Sequence, residues 1–173
     1  MDYYEIKNKD GLLSKYSKDY STLKTIIDSL DNEIINYIPE LENAWSIKEH
    51  IAHLVDTEVN GFVRFKRSVL NPGTTLDLGR GNIETSNKIL DYASQNIDDL
   101  LDLFRLLRKI IYDNVKKMRG EDIEMYYIEH VNHPTFGRTN LKFILSINTQ
   151  HFDKHLKFIN RNIELYNESK KNN

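Results

Sequence analysis

An all-α fold, and within it a four-helix bundle, is what three features of this 173-residue chain predict. Apolar residues recur at alternating steps of three and four along four long segments, the spacing of a helix with one buried face. The three prolines, Pro39, Pro72 and Pro134, fall between those segments, where a missing amide donor costs least. The length suits one domain, 1–173, with a core over about residues 12–166, and four long amphipathic helices in one domain pack most simply as a bundle.

The first segment steps through Tyr16, Tyr20, Leu23, Ile27, Leu30 and Ile34, the seam of one helix that Pro39 ends. The second opens at Ser46, with Glu49 three residues on. Ser-x-x-Glu is a capping box, in which each side chain satisfies an orphan amide at the helix start, for about 1 kcal/mol. Trp45 precedes the cap as a staple, and the helix should run to Leu70, before Asn71-Pro72-Gly73. A connection with Gly79 and Gly81 follows, with room for a short helix over 86–92. The third helix reads Leu100, Leu103, Phe104, Leu107, Ile111, Val115 and Met118, stopping near Gly120. From 121 to 138 the period is lost, and His133-Pro134-Thr135-Phe136-Gly137 reads as a turn. The fourth helix starts at Thr139 or a neighbour and continues to Tyr166, leaving 167–173 as a frayed polar tail.

Composition narrows the chemistry. Hydrophobic residues are 39% and charged residues 29%, an ordinary soluble composition. A net charge of -2 supplies no global field for nucleic acid or an anionic membrane, so neither is an expected partner. No apolar run approaches the roughly 20 residues that span a bilayer. The chain has no cysteine, which excludes disulfides, a thiolate zinc site and a cysteine nucleophile. With no basic and apolar run after Met1, a cytoplasmic protein is expected. Any metal must be held by His, Asp, Glu and water.

His151 and His155 lie four apart within the apolar stripe of the last helix, beside Leu141, Ile144, Leu145, Phe152, Phe158 and Ile159. Residues four apart stack on one helix face, so both imidazoles should look inward. Burying an uncompensated imidazole is unfavourable; a shared metal ion answers both, and two satisfied core histidines are the plainer alternative. A reactive metal site typically has three protein ligands and an open position. His53, two turns into the second helix, is the best third candidate, with Asp56 one turn further on. Glu49, His50, His53, Asp56 and Thr57 form a polar strip there, either solvated surface or a ligand-bearing face. His50 points about 60° from His53 on the helical wheel and reads as a rim residue. His130 and His133 flank the turn, where exposure is the ordinary outcome and a place in a pocket wall the alternative.

Several enzyme classes are disfavoured. A zinc-peptidase helix carries glutamate after its first histidine, where this chain has Phe152. Gly79-Arg80-Gly81 lacks the strand and helix of a phosphate loop, and no serine elbow is recognisable.

Two longer patterns, Trp45-Ser46-x-x-Glu49-x-x-x-His53-x-x-Asp56-x-Glu58 and His133-Pro134-x-Phe136-Gly137-Arg138-x-Asn140-Leu141 leading to His151-x-x-x-His155-Leu156, resemble the DinB-like superfamily, in particular its YfiT-like branch. The resemblance covers about residues 16–163. It implies a DinB-type four-helix bundle, often a homodimer, and a divalent metal, zinc or nickel, on His53, His151 and His155. It places an acidic residue, Asp56, near the metal, where the physical role is that of acceptor for an imidazole N–H. The base that takes a proton from the bound water or thiol is solvent, Asp56 or Glu58, with Asp56 first on position. It implies a thiol S-transferase, using a bacillithiol-like cosubstrate, or a hydrolase acting on a small molecule. Three neutral histidines leave the ion its full charge, so a water or thiol on it would ionise as hydroxide or thiolate near neutral pH. With no cysteine in the chain, the thiol must come from a cosubstrate. The segments 71–95 and 121–138 are the expected pocket rims. The alternatives are a non-catalytic metal or small-ligand binding bundle with a stress-related role, and a metal-free dimerisation module. Asn148, one turn before His151, has no assignment from sequence.

Overall fold

The computed structural model describes residues 9–71, 73–76, 89–119, 131–133 and 135–171. Four long helices dominate it: α1 (Lys9–Ile27), α3 (Ile47–Leu70), α4 (Ile97–Lys117) and α5 (Leu141–Lys171), with a five-residue α2 (Asn32–Asn36) after the first. Both halves of the Ser46 capping box form, Glu49 N–H donating to Ser46 Oγ at 3.2 Å and Ser46 N–H to Glu49 Oε2 at 2.7 Å. Helix α4 starts where Asn96 Oδ1 accepts the amides of Asp98 and Asp99. Its acidic first turn and its last-turn Lys116 and Lys117 both suit the helix dipole.

The first segment is not one helix. The backbone leaves α1 at Ile27, and Asp31 accepts the amides of Glu33 and Ile34 to start α2. A short acidic side chain competes locally for amides that a continuous helix would use. The tail also differs from expectation, since α5 continues to Lys171. Lys170 Nζ bonds Glu33 Oε1 at 2.6 Å and Tyr37 meets Tyr166 edge-on, which tie the last turns to α2. The aperiodic region holds a small ribbon, β1 (Val131–His133) paired antiparallel with β2 (Gly137–Thr139). Strands of three residues are too short to show a period. Gly137 turns the ribbon at φ +72, a conformation that disfavours a side chain. Gly79, Gly81, Gly120 and His130 lie outside the described residues, as do 86–88; the rest of the expected short helix is two helical residues, 89–90, and a 3-10 turn at Tyr92–Ser94.

Around the bundle, α1 and α3 each pack against both α4 and α5, which places α1 and α3 on a diagonal. One apolar cluster joins Leu23, Ile51, Leu54, Phe104, Phe152 and Ile159; another, towards the opposite end, joins Leu12, Tyr16, Phe65, Ile111 and Leu145. Among the described residues no helix is long and apolar enough to cross a membrane.

Candidate metal centre

His53 projects from the second turn of α3, and His151 and His155 project from neighbouring turns of α5. The docking of α3 on α5 brings the three together, with one donor atom of each within 4.8 Å of the others. Ring centroids are 5.0 Å apart for His53–His155, 5.2 Å for His53–His151 and 4.5 Å for His151–His155. The Nε2 atoms of His151 and His155 are 3.2 Å apart. Two imidazoles on a tetrahedral ion, each at about 2.0–2.1 Å, would hold their nitrogens about 3.4 Å apart, so the pair fits a first-row divalent ion. Among the described residues this cluster contains three donors.

The electrostatics suit a ligand set. Burial, then His53, Lys154 and Arg108, push His151 down to about 4. Burial and the neighbouring His151, His53, His50 and Lys154 push His155 down to about 2. Burial also lowers His53, against the opposing charge of Asp56. All three are therefore neutral at pH 7, the form that binds metal.

His50 is not a rim residue. It is 5% exposed, and its Nδ1 lies 3.1 Å from Nδ1 of His155. The helical wheel misplaces it because the segment before α3 folds over the helix start, so a second face is covered. Trp45 is that cover: its ring lies 5.4 Å from His50, 5.3 Å from His53 and 6.3 Å from His155. Asn162 Nδ2, wholly buried on α5, holds the Trp45 carbonyl at 2.7 Å. Burial, Arg161 and His53 push His50 down to about 4.

Asp56 accepts the hydroxyl of Tyr92, a residue that sequence reasoning passed over. Its charge acts on His53. Glu58 turns into the bundle instead, where Arg108 and the Tyr16 hydroxyl engage its carboxylate. His133 is 6% exposed and not a solvated turn residue, because its Nδ1 accepts the amides of Thr135 and Phe136 at 3.1 and 3.3 Å. Asn148 packs against Gly61 of α3: a Cβ on Gly61 would stand 2.6 Å from its Nδ2.

The cluster opens on a cavity of about 340 Å³. Its walls are Leu41, Glu42, Asn43, Ala44 and Trp45, the four histidines 50, 53, 151 and 155, and Lys154, Phe158 and Arg161. Of the expected rims, 71–95 and 121–138, the described residues contribute none of this lining, and 77–88 and 121–130 lie outside the described residues. His53 stands only two turns from the Ser46 cap, so the segment preceding α3 is its natural neighbour. Lys154 and Arg161 are exposed, lie over the Phe158 ring and have no ion pair among the described residues.

A family model described as the DinB superfamily matches residues 15–159. A Bacillus cereus protein named "Putative metal-dependent hydrolase" is 23% identical over 143 residues, 77% of this chain and 79% of its own length. A Bacillus anthracis protein of the same name matches to the same extent. Among solved structures, the chain resembles one described as "YfiT from Bacillus subtilis is a probable metal-dependent hydrolase with an unusual four-helix bundle topology", with TM-score 0.75, 16% identity, and 88% of this chain and 84% of that one covered. It also resembles a mycothiol-dependent maleylpyruvate isomerase, with TM-score 0.67 and 14% identity over 92% of this chain and 63% of that one. These likenesses agree with the four-helix architecture and the three-histidine cluster, and the chain belongs to the DinB superfamily.

Proposed function

We propose that this chain is a metal-dependent enzyme that directs water, or a low-molecular-weight thiol, against a small electrophilic molecule. The observation that carries it is the convergence of three neutral imidazoles, His53, His151 and His155, beside an open cavity. A divalent ion held there, zinc or nickel, would lower the pKa of a bound water or thiol towards neutrality. Trp45 and Phe158 line that cavity and pack against His53 and His155. Asp56, one turn beyond His53 and oriented by Tyr92, is the proton acceptor in this reading. Lys154 and Arg161, without an ion pair among the described residues, favour a substrate that carries negative charge.

The names of the curated relatives support hydrolysis, and the likeness to a mycothiol-dependent enzyme supports thiol transfer. In the second case the thiol is a cosubstrate, since the chain has no cysteine. A purely structural metal site is less well supported, because the three donors open on a cavity and not on a fourth ligand among the described residues. The reading includes a cytoplasmic homodimer. Leu103, Leu106 and Ile110, exposed at one-face spacing on α4, support the dimer, and light scattering in solution measures it.

Elemental analysis of untagged protein purified without chelators tests the metal centre, with His151→Ala as control. About one equivalent of transition metal, lost in the control, is the expected result. No metal after reconstitution with zinc or nickel would overturn the proposal. Product analysis with and without added thiols then separates transfer from hydrolysis.

A further inference from the structure

The second nitrogen of His155 has a partner of its own. While Nε2 faces His151, Nδ1 stands 3.1 Å from Nδ1 of His50, and both residues are 5% exposed. A neutral imidazole carries one proton, so one of the two facing nitrogens donates and the other accepts. Binding an ion through Nε2 leaves the proton of His155 on Nδ1. His50 Nδ1 is then the acceptor, and its own proton sits on Nε2. We propose that His50 is a positioning residue for the metal centre: its hydrogen bond to His155 fixes that ligand's tautomer and ring plane. Metal histidines usually meet a carboxylate, a backbone carbonyl or water at this place; here an imidazole takes it.

Three observations favour this over simple core packing. His50 meets the edge of His155 opposite the one that faces His151, so it stands outside the ligand set and behind it. Its ring is fixed by stacking on Phe158 at 5.4 Å and by Trp45 at 5.4 Å, so the acceptor cannot swing away. Its Nε2 is buried with no hydrogen-bond partner among the described residues. An apolar ring would fill the same space without that desolvation cost, so packing alone gives no reason for histidine.

The inference rests on the proposed metal site, and the test separates the two. Zinc affinity is measured for the wild type, His50→Phe and His50→Asn by competition with a chromophoric chelator, beside the melting temperatures of the metal-free proteins. His50→Phe keeps the ring but has no acceptor; His50→Asn keeps an acceptor near the Nδ1 position. The expected result is an affinity lower by about tenfold or more in His50→Phe, a value near wild type in His50→Asn, and a metal-free melting temperature undiminished in His50→Phe. Wild-type affinity in His50→Phe, or equal losses in both variants, would overturn the positioning role while leaving the metal site in place. Absence of zinc binding by the wild type would overturn both. Long-range proton–nitrogen spectra of the zinc-loaded wild type give an answer that needs no variant. The proton of His155 is expected on Nδ1, and a proton on Nε2 would refute the inference.

Discussion

Arg108 meets the carboxylate of Glu58 at 2.8 Å in the middle of the bundle, their side chains only 3% and 2% exposed. The same guanidinium reaches Asp19 and the Tyr16 carbonyl on α1, and it lies over the rings of Tyr16 and Phe104 at 4.3 and 4.6 Å. One cation thus links α1, α3 and α4, with two carboxylates around it. Removing one partner of a buried pair strands the other and costs about 3–5 kcal/mol. Glu58→Ala should lose about that much stability in urea unfolding, while Glu58→Gln, which keeps the shape, should still bind one equivalent of metal. Loss of metal from Glu58→Gln at an unchanged unfolding midpoint would place Glu58 in the metal site and refute its structural role.

Buried neutral histidines make the metal-free protein sensitive to acid. In the folded chain His50 and His151 are pushed down to about 4 and His155 to about 2, chiefly by burial. Unfolded, each returns to about 6.5. Between those values the unfolded chain binds more protons, so stability rises with pH. It is complete above about pH 6.5 and falls as the pH drops towards 4, by about 1.4 kcal/mol per unit for each such histidine. Lys154, Arg161 and Arg108 face the cluster and add to the effect, while Asp56 opposes it at His53. Burial raises Asp19, a shift of opposite sign that acts only near the carboxylate range. With chelator present, the urea midpoint should be level from pH 8 to 7 and drop steeply from 6.5 to 5. A level midpoint down to pH 5 would show that the histidines take up protons in the folded state.

The parts of this fold that the sequence discloses are those with short-range signals. Ser46, Glu49 and Asn71-Pro72 mark both ends of α3, which spans Ile47–Leu70. The break after Ile27 is hidden, because the apolar steps continue through Leu30 and Ile34 while Asp31 diverts the amides. His151 and His155 declare themselves by spacing along one helix. His53 is already the best third candidate by its place on α3, but the family resemblance is what singles it out from the polar strip, since which α3 residue meets the pair depends on how two helices dock. His50 and Trp45 depend on a segment folding back over a helix end, and Lys154 and Arg161 read as ordinary surface charges until the cavity is seen.

Where α3 docks on α5, Gly61 faces Asn148, and a Cβ there would stand 2.6 Å from the Asn148 Nδ2. Asn148 is 3% exposed and sits one turn before His151. Gly61→Ala gains helix propensity of about 1 kcal/mol, but the new methyl must push back a buried side chain, at about 1–3 kcal/mol. The net expectation is a modest loss of stability with a weaker zinc affinity, because separating the helices there separates His53 from His151. Unchanged zinc affinity in Gly61→Ala would show that the ligand geometry does not depend on this contact.

Charge at the cavity mouth should select the substrate. Lys154 and Arg161 lie one on each side of Phe158 in the sequence of α5, and both side chains cover its ring. Among the described residues neither forms an ion pair, and Glu42 is the one acidic residue of the cavity wall. Two exposed cations do little for stability, but beside a low-dielectric pocket they attract anions and raise their local concentration. A panel of aryl esters with and without a carboxylate, tested on metal-loaded protein, reads this directly. The carboxylate-bearing member should show the lower KM, and the preference should weaken as salt rises. Lys154→Glu with Arg161→Glu should raise that KM by about tenfold or more, equivalent to about 1.4 kcal/mol or more, and leave neutral esters nearly unaffected. An equal change for both kinds of ester would mean that the two cations shape the pocket without reading charge.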